Sequence, residues 1–178
     1  MNIHFKELTS HMKEFGLYIM STAIFDAMHS EMGTPFAHAQ SVIVMAQGAE
    51  ITLKAIIGEQ EPHLLFKDVD YSKLKTLNRS KTKNLLMLGK TYTLKELPSL
   101  LYKSTGYKIQ KEAEFKEFCN LRNIVMHLAA PNWDLEGETI SFASGIMQPI
   151  VTHFYNEKIL AHHYLYDEEL EEMSKDFY

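Results

Sequence analysis

Residues 109–129 read Ile-Gln-Lys-Glu-Ala-Glu-Phe-Lys-Glu-Phe-Cys-Asn-Leu-Arg-Asn-Ile-Val-Met-His-Leu-Ala, with Phe115, Phe118, Leu121, Val125 and Leu128 at spacings of three and four. At about 100° per residue these side chains form one apolar stripe, which predicts a helix with a single buried face. Pro131 predicts that the helix ends just before it. On the same wheel Arg122 lies on the flank of the stripe. Asn123 and His127, four residues apart, share the face turned away from it, so His127 is expected outside the core. Arg122 and His127 are roughly 140° apart around the axis and are not helix neighbours. They can meet on one substrate if the long arginine side chain reaches round, or across a two-fold axis with a second copy of the helix opposite. An arginine holds phosphate through planar, charged hydrogen bonds, and a histidine exchanges protons near neutral pH.

The same periodicity extends upstream and makes the chain mostly helical. A first helix is expected over residues 5–31, with Leu8, Met12, Phe15 and Ile19 on its apolar face, broken by Gly33-Thr-Pro35. A second is expected from about Pro35 to Gly58, and its length and apolar content suggest a central position. Within it Glu50 and Lys54 stand four apart in the favourable order for an ion pair. Short helices are expected around residues 71–77, 83–88 and 94–103, with Pro98 limiting the last if it lies beyond the first turn. Turn-rich residues 131–138 then lead to a final helix from about Thr139 past Tyr166, kinked or restarted at Pro149. No repeat or low-complexity linker interrupts the chain. The expected fold is all-α: an antiparallel bundle of four to five main helices forming one domain over residues 1–178, with a basic elaboration of short helices at about residues 59–108.

Charge is unevenly distributed. The net charge is −5, yet residues 67–116 carry 12 Lys/Arg against 5 Asp/Glu, and residues 134–178 carry 2 against 10. Lys73, Lys75, Arg79, Lys81, Lys83 and Lys90, interleaved with Tyr71, Tyr92, Tyr102 and Tyr107, suit phosphate contact with occasional base stacking, or else a solvated charged surface. The acidic residues 167–172 read most simply as a solvated helix end.

Several chemistries lack their residues. The chain has no His-Glu-x-x-His, no paired cysteines and no Gly-Lys-Ser/Thr phosphate loop, and Ser144 lacks the preceding glycine of a nucleophile elbow. His162 and His163 point about 100° apart if helical and, with His153, are expected at the surface or an interface rather than on a metal. Trp133 is expected to cap the core beside the motif helix. The single cysteine, Cys119, cannot form an internal disulfide. The first residues lack the basic-then-apolar pattern of a leader, and no run approaches the roughly 18–20 apolar residues of a membrane span, so a cytoplasmic, soluble chain without membrane contact is the expectation. With 46% hydrophobic residues a chain of this length buries about two-thirds of its unfolded surface.

Arg122 and His127, with Asn123 directly after the arginine, resemble the Arg-x4-6-His signature of HEPN domains. These are small all-helical proteins, many of them metal-independent ribonucleases of toxin–antitoxin, CRISPR-associated and phage-defence systems. Residues 46–57, Ala-Gln-Gly-Ala-Glu-Ile-Thr-Leu-Lys-Ala-Ile-Ile, are similar to the second helix of such domains, and the resemblance covers the helical body of the chain. It implies an endoribonuclease in which the ribose 2′-hydroxyl attacks the adjacent phosphate and no cofactor takes part. His127 would move a proton at the 2′- or 5′-oxygen, Arg122 would stabilise the phosphate, Asn123 would orient either, and Glu50 and Lys54 would support the site. It also implies RNA as ligand, a homodimer, and a possible antitoxin or other defence-system partner. Some members carry a tyrosine two residues after the histidine, where a nucleotidyltransferase modifies them; here that position is Ala129, so neutralisation by that chemistry is not expected. The alternatives are a non-catalytic HEPN module that binds RNA or nucleotides or dimerises, and an unrelated helical interaction protein.

Overall fold

The computed structural model describes residues 3–29, 36–67, 69, 79–129 and 134–163. It is an all-α helical bundle. The helices are α1 (Ile3–His29), α2 (Ala37–Gln60), α3 (Arg79–Leu88), α4 (Leu97–Thr105), α5 (Glu112–Leu128), α6 (Leu135–Phe142) and α7 (Gln148–Tyr155). Short 3₁₀ turns lie at Pro62–Leu65, Leu94–Glu96 and Ile159–His162. Among the described residues the only β pairing is an isolated antiparallel bridge between Phe66 and Thr91.

The centre of the bundle is α2. It buries Val42, Met45, Ala49, Leu53, Ile56 and Ile57, and packs against α1, α4, α5 and α6. Contrary to the expectation that nothing approaches a membrane span, α2 is long and apolar enough to cross one, but most of it is buried inside the protein. A helix packed by several others is apolar over most of its surface for the same reason as a membrane helix.

Antiparallel α1 and α2 approach closely at Gly16 and Gly48. A methyl added at Gly48 would fall 2.5 Å from Met20 Cγ and 3.0 Å from the Gly16 carbonyl oxygen. The face of α1 that meets α2 corrects the sequence expectation: Leu17, Met20, Ala23, Ile24 and Ala27 are buried, Leu8, Met12 and Ile19 are intermediate, and Phe15 is exposed. Both sets have helical spacing, and the close approach at Gly16 and Gly48 selects the first.

Residues expected in the elaboration divide between two cores. Leu94, Leu97 and Leu101 join the main core, so α4 is part of the bundle, whereas Leu85 of α3 packs on a smaller cluster of Phe5, Leu65 and Phe66. Pro98 sits in the first turn of α4, where its missing N–H costs nothing. The helix expected at residues 71–77, the Gly33-Thr-Pro35 break, Trp133 and the acidic residues 167–172 lie outside the described residues.

The last third also departs from expectation. The final helix begins at Leu135 rather than Thr139, because Asp134 caps it by accepting a hydrogen bond from Gly137 N at 2.9 Å. A π turn over Ala143–Met147 joins α6 to α7, and Pro149 follows in the first turn of α7, the restart that its ring requires. The helix stops at Tyr155, well short of Tyr166, where Asn156 adopts the left-handed conformation. His163, expected at the surface or an interface, is instead buried within the fold, with its ring stacked on Phe25 at 4.4 Å; burial lowers its pKa. His162 pairs with Glu157 at 2.8 Å. His153 is exposed and lies against Tyr107.

Candidate functional site

Helix α5 carries the motif. Glu112 and Glu114 in its first turn and His127 in its last match the polarity of a helix dipole. It buries Phe115, Phe118, Cys119, Leu121 and Val125, four of the five stripe residues expected plus the cysteine. Leu128 corrects the expected stripe: it is 73% exposed. The helix closes at Ala129, whose φ of 50° and ψ of 47° are left-handed and whose N–H reaches the Val125 carbonyl at 3.1 Å. A non-glycine residue there costs roughly 1 kcal/mol, which the closing hydrogen bond helps to offset.

Arg122 and Asn123 line a cleft of about 260 Å³ between α5, α2 and the 3₁₀ turn at Leu94–Glu96. Ala46 and Glu50 contribute from α2, Cys119 from α5, and Thr93, Leu94 and Lys95 from the turn. Arg122 Nη1 donates to Asn123 Oδ1 at 3.1 Å. Lys54 donates to Glu50 at 2.6 Å and to Thr91 Oγ1 at 3.2 Å. With Glu50 neutralised by Lys54, Arg122 and Lys95 remain as cations with no carboxylate partner among the described residues. The cleft is therefore electropositive around a neutralised acid.

His127 does not line this cleft. It is exposed on the face of Asn123, one turn further along, and makes no hydrogen bond or ion pair among the described residues. The fold brings Arg122, Asn123 and Glu50 together, with Lys54 behind, and leaves His127 outside. Cys119 is no nucleophile here: burial pushes its thiol up to about 11, against the opposing charges of Lys95 and Arg122, so it stays protonated at neutral pH.

Lys95 and Thr93 were not singled out by the sequence reading. Thr93-x-x-Glu96 has capping-box spacing, and that signal alone could have located the turn. Thr93 N and Oγ1 both donate to Glu96 Oε2 at 2.8 Å, and Lys67 reaches Oε1 at 2.8 Å. These bonds, that from Lys67 first, hold the Glu96 carboxyl down at about 2. Lys95 carries no mark beyond its place in the basic stretch. Of the residues expected to meet RNA, Lys81 and Lys83 are exposed on α3, Arg79 opens that helix, and Lys73 and Lys75 lie outside the described residues. Tyr92 is half-buried with Lys67 over its ring, Tyr102 is exposed, and Tyr107 packs on Phe154.

Among the described residues no group of three or more His, Cys, Asp and Glu could hold a metal ion. Comparison of the chain with known protein families, curated proteins and solved structures finds no match.

Proposed function

We propose that this chain is a metal-independent endoribonuclease of HEPN type, acting in a toxin–antitoxin or phage-defence setting. The observation that carries the reading is the meeting of Glu50 from α2 with Arg122 and Asn123 from α5 on one electropositive cleft. The resemblance joins these same two segments, which are far apart in the chain.

In the proposed reaction the 2′-oxygen bonds to phosphorus as the bond from phosphorus to the 5′-oxygen breaks. The 2′-hydroxyl loses a proton and the 5′-oxygen gains one, and His127 carries one of these transfers. Arg122 holds the phosphate and offsets the charge that builds on it. Asn123 bonds Arg122 and shares a helix face with His127, so it orients both groups. Because His127 stands apart from Arg122 on one helix, the proposed active form is a homodimer in which two α5 helices face each other.

Incubation with total RNA or tRNA in EDTA tests the reading. Cleavage leaving a 2′,3′-cyclic phosphate or its 3′-phosphate product is expected, blocked by 2′-O-methyl or 2′-deoxy at the scissile nucleotide. His127→Ala and Arg122→Ala should each slow it by at least about a hundredfold without loss of folded protein. EDTA-sensitive cleavage leaving a 5′-phosphate would refute it. The second reading, a non-catalytic module binding RNA or nucleotides, is favoured by the separation of His127 from the cleft. It is the conclusion if RNA is bound and never cut.

A further inference from the structure

Lys95 belongs to two adjoining hollows. One is the Arg122 cleft; the other, of about 400 Å³, shares Lys95 with it and is lined by Tyr92, Pro98, Ser99 and Leu100 among others. The second hollow falls within the roughly 300–1,000 Å³ of small-molecule sites. Its wall has an apolar part in Tyr92, Pro98 and Leu100 and a hydroxyl in Ser99. The acids at its rim are occupied: Glu96 by Lys67 and Thr93, Glu112 by Lys116 at 2.6 Å. Among the described residues Lys95 is held only by a neutral acceptor, Asn120 Oδ1, at 3.3 Å. An uncompensated cation on a ridge between a cationic cleft and a hollow with an aromatic wall matches a nucleotide chain. A phosphate would lie on the ridge with a base beyond it.

We propose that Lys95 is a second phosphate-holding residue and that the Tyr92–Ser99 hollow is a subsite for the base of the nucleotide next to the phosphate held by Arg122. This rests on the proposed RNA-cleaving function. It adds a substrate class: a base reaches the hollow only when unstacked, so the substrate is single-stranded at that nucleotide. Lys95 holds the backbone irrespective of sequence, and the wall of Tyr92, Pro98 and Leu100 accepts any base by apolar contact, with Lys67 lying 5.2 Å over one face of the Tyr92 ring.

The test is fluorescence anisotropy of the full chain with a labelled, uncleavable 2′-O-methyl RNA of about six nucleotides, within the usual span of single-strand sites. Lys95→Gln should weaken binding about tenfold and reduce the salt dependence by the share of about one phosphate contact. Ser99→Trp, which fills the hollow from an exposed position, should also weaken it about tenfold but leave the salt dependence unchanged. Tyr92→Phe keeps the ring and should bind as the parent does. If Arg122→Ala loses binding while Lys95→Gln and Ser99→Trp retain parental affinity, the subsite is wrong and the RNA reading stands. If the unaltered protein does not bind the oligonucleotide, both fall. Lys95 is exposed and outside the core, so Lys95→Gln alone decides the matter should Ser99→Trp fail to fold.

Discussion

Glu50 on α2 and Arg122 on α5 line the same cleft without touching: Glu50 is taken by Lys54 at 2.6 Å and Arg122 by Asn123 at 3.1 Å. An arginine that makes no ion pair among the described residues can accept an anion without first breaking one. The Glu50–Lys54 pair is shielded, with side-chain exposures of 31% and 12%. Removing Glu50 would leave a shielded ammonium unpaired. Glu50→Ala and Lys54→Ala should therefore each lower stability by about 1–3 kcal/mol, between the values for surface and buried pairs. The double variant should lose less than the sum, as read by urea unfolding of all four proteins.

The proposed dimer makes its own demand on α5. Leu128 and Met126 are 73% and 46% exposed beside His127, at the end of the helix expected on the two-fold axis. Leu128→Glu should yield a monomer by light scattering and abolish cleavage while leaving the helix content unchanged, and should remove any concentration dependence of the melting temperature. A monomeric parent protein with full activity at tens of micromolar would end the dimer proposal.

Gly48 tests the packing of the bundle. In a free helix alanine is better than glycine by roughly 1 kcal/mol, so Gly48→Ala would ordinarily stabilise. Here its methyl would meet Met20 Cγ at 2.5 Å and the Gly16 carbonyl oxygen at 3.0 Å. The methionine can move; the backbone cannot. A net loss of about 1–3 kcal/mol is expected, measured as a lower unfolding midpoint, whereas a gain would mean that α1 and α2 separate readily.

Acid should loosen the turn that carries Lys95. Glu96 is held down from 4.5 to about 2, first by its bond from Lys67 and then by those from Thr93. A carboxylate with a lowered folded value contributes stability that is complete above its unfolded value and fades as pH falls through the folded one. The stability difference between the parent and Glu96→Gln should be constant above about pH 5, shrink between 4.5 and 2, and vanish below. Urea midpoints measured across that range check it.

Local periodicity made much of the architecture legible. Spacing of three and four residues identified α5 and four of its five expected buried positions, while length and apolar content placed α2 at the centre. Pro149 marked a helix restart because its ring excludes most other helical positions, whereas Pro98, expected only as a limit on a helix from residue 94, opens α4. The Glu50–Lys54 pair was readable because both partners lie on one helix, where sequence separation fixes distance.

What lies between helices was not legible in this way. Two sets of apolar residues on α1 have equally good helical spacing, and only the close approach of Gly16 to Gly48 decides that Leu17, Met20 and Ile24 face inward while Phe15 stays exposed. His163 reads as a surface polar residue until the chain returns from α7 and lays its ring on Phe25. By itself the sequence determined which residues share a helix and which of them share a face, because the helix repeat is a local property. That Arg122 shares a cleft with Glu50 and Lys95 while His127 stands outside it follows from the tertiary packing, because the rotation and crossing of each helix against its neighbours are set by contacts among distant residues.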